Sequence, residues 1–406
     1  MGATARMIRR RRGLSLQLVA DQIGTSKGHL SDLENGKKDL MLTRRGTIEN
    51  LAEVLGCSPI DLAGRPTLSD DRRTVVAASA VPPLTAALYD TTLDDAPEVP
   101  SPRPLPHLVD LAERANAAAD QVRYEVISGD GLGNLILELH AYAATGKGEE
   151  PQAALEALVT ACMVARSLAG SLGHSELAVI ATRRGWDAAR RLERIDLTGL
   201  MAMGRAISLN RLGARRQANR VLTEALAAAQ EAPGPTPDRT SEAEARGMLH
   251  LTAAHLAARD GNRAVADLHV AEAHGLARAV GERNFMRYHF GPTNVSAWEL
   301  AVAVETERGP EAAERLAPTV ELSVFGSADR ASAWHFDLAR AYAQAEGDRD
   351  LEAVRHMDQA DRLAPVRLRQ DPLAHHLVQG LDHRIATRAQ PWELVSLKNR
   401  YRNQTA

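Results

Sequence analysis

The sequence predicts an all-α protein with two units, a small N-terminal one of five short helices and a large C-terminal array of helix pairs. Aromatic residues make up only 3% of the 406 residues, and no stretch alternates apolar and polar residues with β-branched side chains, as half-buried strands do. The length exceeds that of an ordinary single domain and therefore favours two or more cooperative units.

The centre of the first unit, predicted over residues 1–65, consists of two helices joined by a tight turn. The apolar residues of 19–23 share one helical face, Gly24 interrupts the chain, and Leu30 and Leu33 mark one face of the next helix. This is the pattern of a helix-turn-helix.

The same unit is completed by two later signals. The apolar residues of 48–55 are spaced i, i+3, i+4, i+7 and predict an amphipathic helix. Ser58 and Pro59 then provide an N-cap followed by proline at the first position of a last short helix.

Residues 66–104 are predicted to be a linker, because proline and small polar residues are frequent at both ends of the segment. Within it, residues 75–89 predict a short helix, so the connection is expected to be semi-ordered. The helical array is predicted to occupy residues 105–406.

The array has a weak internal repeat, in which small and large apolar residues recur with similar spacing on paired helices. Three copies begin at Ala206, Leu251 and Leu338. They resemble tetratricopeptide repeats, whose helix pairs stack with a small rotation and form a concave groove. The alternative is a generic helical bundle.

Charge is distributed unevenly between the two units. Residues 1–65 hold 11 Lys and Arg against 7 Asp and Glu, and the remaining residues hold 38 against 45. We call residues 1–65 the head and the remaining residues the body. A basic head is suited to binding a polyanion, whereas an acidic body is repelled by one. The run Arg9–Arg12 can equally be a solvated helix face.

The first unit resembles the Cro/repressor-type helix-turn-helix domain of the XRE family of bacterial and phage regulators. The matching positions are Gly13-Leu14-Ser15, Val19-Ala20, Ile23-Gly24, Leu30-Ser31, Leu33-Glu34-Asn35-Gly36-Lys37 and Leu51-Ala52-Glu53-Val54-Leu55-Gly56. The resemblance implies a transcription regulator that binds double-stranded DNA, and a two-fold homodimer on an inverted-repeat operator is expected.

In this family the helix that spans about residues 26–35 enters the major groove. The base contacts that the resemblance implies are Lys27, Gly28, Ser31 and Asp32. A lysine can donate to guanine O6 and N7, and a carboxylate can accept from cytosine N4 or exclude other bases. For each of these residues, a solvated helix surface is the alternative.

The remaining implied contacts position the domain on the DNA backbone. They are Arg10, Arg12, Gln17, Ser26, Lys37, Lys38, Arg44 and Arg45. Arg9 and Glu34 occupy positions that the family often joins as a structural pair. The family commonly has glutamine directly after the serine that opens the second helix, whereas this chain has Leu16 there and Gln17 one position later.

The combination of this head with a repeat array is similar to peptide-responsive quorum-sensing regulators and to actinobacterial tetratricopeptide regulators. It implies a groove that binds a small signal, either a peptide or a metabolite, through amide, basic and aromatic side chains. The candidates are Arg183, Trp186, Asn210, His289, Asn294, Trp298 and Trp334. The alternative is that they are core, turn or cap residues.

Other classes of protein are disfavoured by the sequence. Its 14 histidines lack metal-ligand spacing, its two cysteines lie in different predicted units, and no catalytic or phosphate-binding motif occurs. We therefore expect no metal, no cofactor and no enzymatic activity. No signal-peptide or membrane-spanning pattern is apparent, so a cytoplasmic protein is expected. Two alternatives stay open: an adaptor whose body docks a partner such as a sigma or anti-sigma factor, and a catalytic helical body.

Overall fold

The computed structural model describes residues 1–38, 45–63, 71–95, 97–129, 131–231, 239–345, 347–386 and 390–402. Within these ranges it contains α-helices, short 3₁₀ turns and one isolated antiparallel bridge, between Thr92 and Asp95, but no β-strand. The predicted all-α fold with a helix-turn-helix head is confirmed, and the described helices of the body are compatible with the predicted helical solenoid.

The head consists of five helices: α1 (Gly2–Arg11), α2 (Leu16–Gln22), α3 (Lys27–Glu34), α4 (Arg45–Leu55) and α5 (Pro59–Ala63). The side-chain oxygens of Ser15 and Ser26 cap α2 and α3 by accepting from backbone N–H groups at 3.0 and 3.1 Å. Gly24 takes a φ of +72° between them, a conformation that favours glycine.

The described part of the body continues with these helices: α6 (Arg72–Ala78), α7 (Val81–Asp90), α8 (Leu105–Asp120), α9 (Gly131–Thr145), α10 (Glu150–Ser171), α11 (Ser175–Arg191), α12 (Ile195–Arg211), α13 (Arg215–Glu231), α14 (Thr240–Arg259), α15 (Arg263–Val280), α16 (Pro292–Glu305), α17 (Gly309–Leu316), α18 (Ala328–Ala343), α19 (Asp350–Leu363), α20 (Pro365–Leu368), α21 (Pro372–Ile385) and α22 (Trp392–Arg402).

The described part of the segment 66–104 contains two helices, α6 and α7, where the sequence predicts one. The fully buried Leu84 and Leu88 of α7 join the core cluster of the body. The buried Arg184 of α11 donates to the Thr91 hydroxyl at 3.0 Å and to the Leu88 carbonyl at 3.2 Å. Through these contacts α7 packs against the body.

From α10 to α19 the body is a stack of helix pairs. The two helices of each pair pack together, and the first helices of neighbouring pairs also touch, as α12 touches α14 and α14 touches α16. Fully buried alanines such as Ala254 and Ala266 allow close approach between helices. The three predicted repeat copies correspond to the pairs α12–α13, α14–α15 and α18–α19.

Among the described helices, α10 is long and apolar enough to cross a membrane, although the sequence predicts no membrane span. However, 72% of its most apolar window is buried inside the protein, and it packs against α8, α9 and α11. These contacts are those of a core helix.

Candidate DNA-binding surface and interdomain cavity

Helix α3, which is expected from the sequence to enter the major groove, has one face in the core of the head and one face in solvent. Leu30 and Leu33 are fully buried, whereas Lys27 and Gly28 are exposed and Ser31 and Asp32 are half-buried. A Cβ atom at Gly28 would meet no atom within 4 Å. The four residues predicted to contact bases therefore lie on the outward side of the helix or at its edge.

Ser31 belongs to a polar network that the sequence analysis did not identify. Asn35 Nδ2 donates to the Ser31 carbonyl at 2.7 Å and to its hydroxyl at 3.2 Å. Arg6 in turn donates to Asn35 Oδ1 at 2.8 Å, so this network connects α1 to the C-terminal end of α3.

Arg9 and Glu34 form a two-pronged ion pair. The Arg9 Nε and Nη2 atoms donate to the two carboxylate oxygens at 2.6 and 2.8 Å, and the two side chains are 11% and 3% exposed. The hydrogen bond that Arg9 donates to Glu34 raises the pKa of Arg9. This pair fixes the angle between α1 and α3, because bidentate geometry restrains both side chains.

The residues predicted to contact phosphates differ in their surroundings. Arg10 and Lys37 are exposed, Arg12 donates to the Gly56 carbonyl at 2.8 Å, and Lys38 lies 3.4 Å from the His29 ring.

The others are Gln17, Ser26, Arg44 and Arg45. Gln17 donates to Asp21 at 2.7 Å within α2, and Ser26 caps α3. Arg44 and the side chain of Arg45 lie outside the described residues.

The head contacts the body through α4. Glu49 of this helix is only 4% exposed, and it forms an ion pair with Arg259 of α14 and accepts a hydrogen bond from Asn210 of α12 at 3.2 Å. A Cβ atom on Gly46 would collide with the Arg259 carbonyl, so the two backbones approach closely. A carboxylate of the head is therefore buried against the body.

A second arginine of the body supports this contact. Arg215 of α13 donates to Asn50 and lies 3.5 Å from the Glu53 carboxylate. Sequence reasoning missed both interdomain contacts, because the partners are far apart in the chain and share no motif.

A cavity of about 450 Å³, which we call the interdomain cavity, lies between the head and the groove of the body. The head contributes Met1, Ile48, Glu49 and Pro59 to its wall. The body contributes residues from α12, α14, α16 and α18, which are the first helices of their pairs. An occupant that fills this cavity would contact both units.

A second cavity of about 250 Å³, which we call the arginine cavity, adjoins the first. The two share part of their walls. The shared residues are Gly170, Ser175, Arg211, His255, Arg259, Trp298, Arg330 and Arg367. The groove of the body is therefore continuous from its interface with the head to the arginine cavity.

The seven predicted ligand-binding residues are not all brought together. Asn294, Trp298 and Trp334 line the interdomain cavity, and Asn210 lies at the contact between head and body. The other three, His289, Arg183 and Trp186, line neither cavity.

His289 binds Asp120 at 2.9 Å. On α11, the Trp186 ring contacts the guanidinium groups of Arg183 and Arg190, with ring centroids 5.1 and 4.8 Å away. Arg183 and Trp186 therefore contact each other on α11, away from the groove.

Asp120, His289 and Ser327 form a buried polar cluster with the residue types of a hydrolase site. The Ser327 hydroxyl donates to Asp120 Oδ1 at 2.6 Å, and His289 contacts the same oxygen at 2.9 Å. Ser327 also caps α18 by accepting from the Arg330 N–H at 3.2 Å. Because the serine binds the carboxylate rather than the imidazole, a nucleophile–base pair is not formed. The cluster connects α8 to the segments before α16 and α18.

Residues 1–63 match the family model described as "Helix-turn-helix domain". The match coincides with the five helices of the head and supports a DNA-binding regulator. A search of curated proteins and a search of solved structures each gave no match.

Proposed function

We propose that this protein is a sequence-specific transcription regulator whose tetratricopeptide-like body binds a small signal, a metabolite or a peptide, that modulates DNA binding. The observation that carries the proposal is the interdomain cavity, whose wall combines Ile48 and Glu49 of the head with Trp298 and Trp334 of the body. A ligand there can change the position of the head if it binds one arrangement of head and body more tightly than another.

On the DNA side, α3 is the reading helix and the exposed cations around it contact phosphates. One small head makes few contacts, so a homodimer on half-sites about one helical turn apart is the proposed DNA-bound form. The DNA-binding domain covers residues 1–65 and the sensing and dimerisation domain 105–406, with α6 and α7 of the segment 66–104 packed on the latter. The proposed location is the cytoplasm.

A ligand of small size is favoured over a docked protein. A protein partner would need an open apolar surface, whereas the head covers part of this groove and polar side chains such as Arg259, Asn294 and Gln370 line it. Asn294 Oδ1 and Gln370 Nε2 are buried there without a hydrogen-bond partner among the described residues, and a ligand can supply those partners.

The proposal is tested by capturing fragments of host genomic DNA on the purified full-length protein, followed by electrophoretic mobility shifts of the best fragment over a salt series. We expect a short inverted repeat shared by the captured fragments, and binding that survives an excess of unrelated DNA. Weak binding that disappears with salt, without any shared motif, would contradict a sequence-specific regulator.

A further inference from the structure

The arginine cavity presents an excess of buried hydrogen-bond donors. The side-chain nitrogens Arg166 Nε, Arg259 Nε, Arg287 Nε and Trp298 Nε1 are buried and have no acceptor in the part of the chain that the structure describes. All four residues line this one cavity. Since buried polar groups are normally paired, these four donors favour a ligand that supplies hydrogen-bond acceptors.

The charges around the cavity are also unbalanced. Six arginines but only two aspartates, Asp120 and Asp329, line it. Asp329 pairs with Arg330 at 3.0 Å and with Arg367 at 2.7 Å, and Asp120 is bound by His289 and Ser327.

Arg166 and Arg287 have no carboxylate partner among the described residues. Arg166 nevertheless acts on this site. Burial opposes the ionisation of Asp329, but the charges of Arg367, Arg330 and Arg166 hold the pKa of Asp329 well below its usual value. The positive potential in the cavity therefore extends beyond its ion pairs.

Arg287 is carried by a segment held in an unusual backbone conformation. Met286, Arg287 and His289 have φ values of +51°, +62° and +52°, a region that non-glycine residues rarely adopt. The His289–Asp120 contact and a 3.0 Å hydrogen bond from Asn294 Nδ2 to the Tyr288 carbonyl hold the segment in place. Such strain is concentrated at ligand sites.

The adjoining interdomain cavity has a different character. Trp298, Trp334, Phe336 and Leu368 line it, and they offer a surface for an apolar group. We propose that the two cavities together bind one organic anion, whose acidic group contacts Arg166 and Arg287 and whose apolar body lies beside Trp298 and Trp334.

This inference rests on the proposed sensing function and names the chemical class of its signal. A carboxylate or a phosphate monoester would each supply acceptors for the buried N–H groups. An uncharged ligand of the same shape, without acceptors, would leave the buried Nε–H groups of Arg166 and Arg287 unpaired, which is unfavourable. The site therefore selects its ligand by the negative charge of the acidic group.

The test uses two fluorescent probes on the full-length protein, anilinonaphthalene sulfonate and phenylnaphthylamine, which share an apolar body and differ by the sulfonate. We expect the sulfonate to bind at least tenfold more tightly. Arg166→Gln and Arg287→Gln should each weaken its binding about tenfold and change that of the neutral probe less than twofold. Trp298→Ala should weaken both.

The matched control is Arg220→Gln, which removes an exposed arginine of α13 that pairs with Glu224 and should change neither affinity. Arg287→Lys keeps the charge and should retain most of the sulfonate binding, and unchanged helical circular dichroism would verify the fold of each variant. Displacement of the sulfonate probe by decanoate or by decyl phosphate, with decanol as neutral control, identifies the acidic group.

The possible results separate the two levels of the proposal. Equal binding of both probes, unaffected by the arginine variants, or displacement by decanol as effective as by decanoate, would overturn the anion assignment and leave a groove that binds apolar ligands. Binding of neither probe to the folded protein would instead contradict the sensing function itself.

Discussion

The head and the body both contain basic side chains without carboxylate partners in the described structure, but they differ in exposure. In the head, Lys27 and Arg10 are exposed, whereas in the body the Nε atoms of Arg166 and Arg287 are buried. Exposed cations suit a polyanion, whose contacts are sequence-independent and salt-sensitive. Buried N–H groups of a cation suit a single small anion, because hydrogen bonds to charged groups are stronger away from water. Burial therefore separates the basic side chains that we propose to contact DNA from those that we propose to bind a small anion.

Arg9 is an exception in the head because it is largely buried and paired. Arg9→Ala should leave the carboxylate of Glu34, which is 3% exposed, without its partner and should destabilise the head by about 3 kcal/mol. The loss is measured by amide hydrogen exchange in α1 and α3 of the full-length protein. Arg10→Ala removes the adjacent exposed cation and should change stability by less than about 0.5 kcal/mol. Similar losses in the two variants would contradict the structural role of Arg9.

Exposed cations of the head should themselves differ in what they recognise. Lys27→Ala should reduce the preference for the selected DNA site by about 1–3 kcal/mol, because Lys27 begins the reading helix. Lys38→Ala should weaken binding to all DNA alike and lower the salt slope by about 1. Both effects are measured by fluorescence anisotropy on specific and unrelated duplexes. If both variants lowered both affinities by equal factors, the assignment of the reading helix would be wrong.

Buried basic groups of the body should make its stability dependent on pH. His250 lies 2.9 Å from His269, and His335 lies 3.0 Å from His356. Burial and the neighbouring imidazole lower the pKa of His250 and of His335 to about 4. In the unfolded chain the histidine pKa is about 6.5, so between these values the unfolded state binds more protons. The contribution of these histidines to the stability of the body should therefore be complete above about pH 6.5 and should be lost as the pH falls toward about 4.

This loss is measured as the free energy of unfolding in urea at about pH 7 and pH 5. The double variant His250→Gln, His335→Gln should show a smaller difference between the two conditions than the unmodified chain. An identical difference in both proteins would show that these histidines are not responsible.

The sequence was informative about the head because its contacts are local and its motif is dense. Ser15, Ser26 and Gly24 have cap and turn functions that their residue types indicate, and the spacing of Leu30 and Leu33 indicates which face of α3 is buried. The sequence also predicted the repeated helix pairs of the body, because their apolar residues recur with helical periodicity.

The groove could be predicted only in part. Asn294, Trp298 and Trp334 were candidates by residue type and do line the interdomain cavity, but Arg183 and Trp186 satisfied the same criterion and lie elsewhere. Arg166 and Arg259 were missed, because an arginine on a repeat helix carries no sign of burial until the stacking of the pairs is known. Arg287 was missed because it lies in the segment before α16, which has no motif. The Glu49–Arg259 contact was missed for the same reason.

We propose that the position of the head on the body controls DNA binding. The most direct test is the dissociation constant of the selected DNA fragment for the full-length variant Arg259→Gln, which removes the ion pair to Glu49 from the side of the body. We predict a change of at least about fivefold relative to the unmodified protein, the lower end of typical coupling between sites. The control variant Arg263→Gln, at the start of α15, should leave the constant unchanged. An unchanged constant for Arg259→Gln, with the fold intact, would show that the head binds DNA independently of its contact with the body.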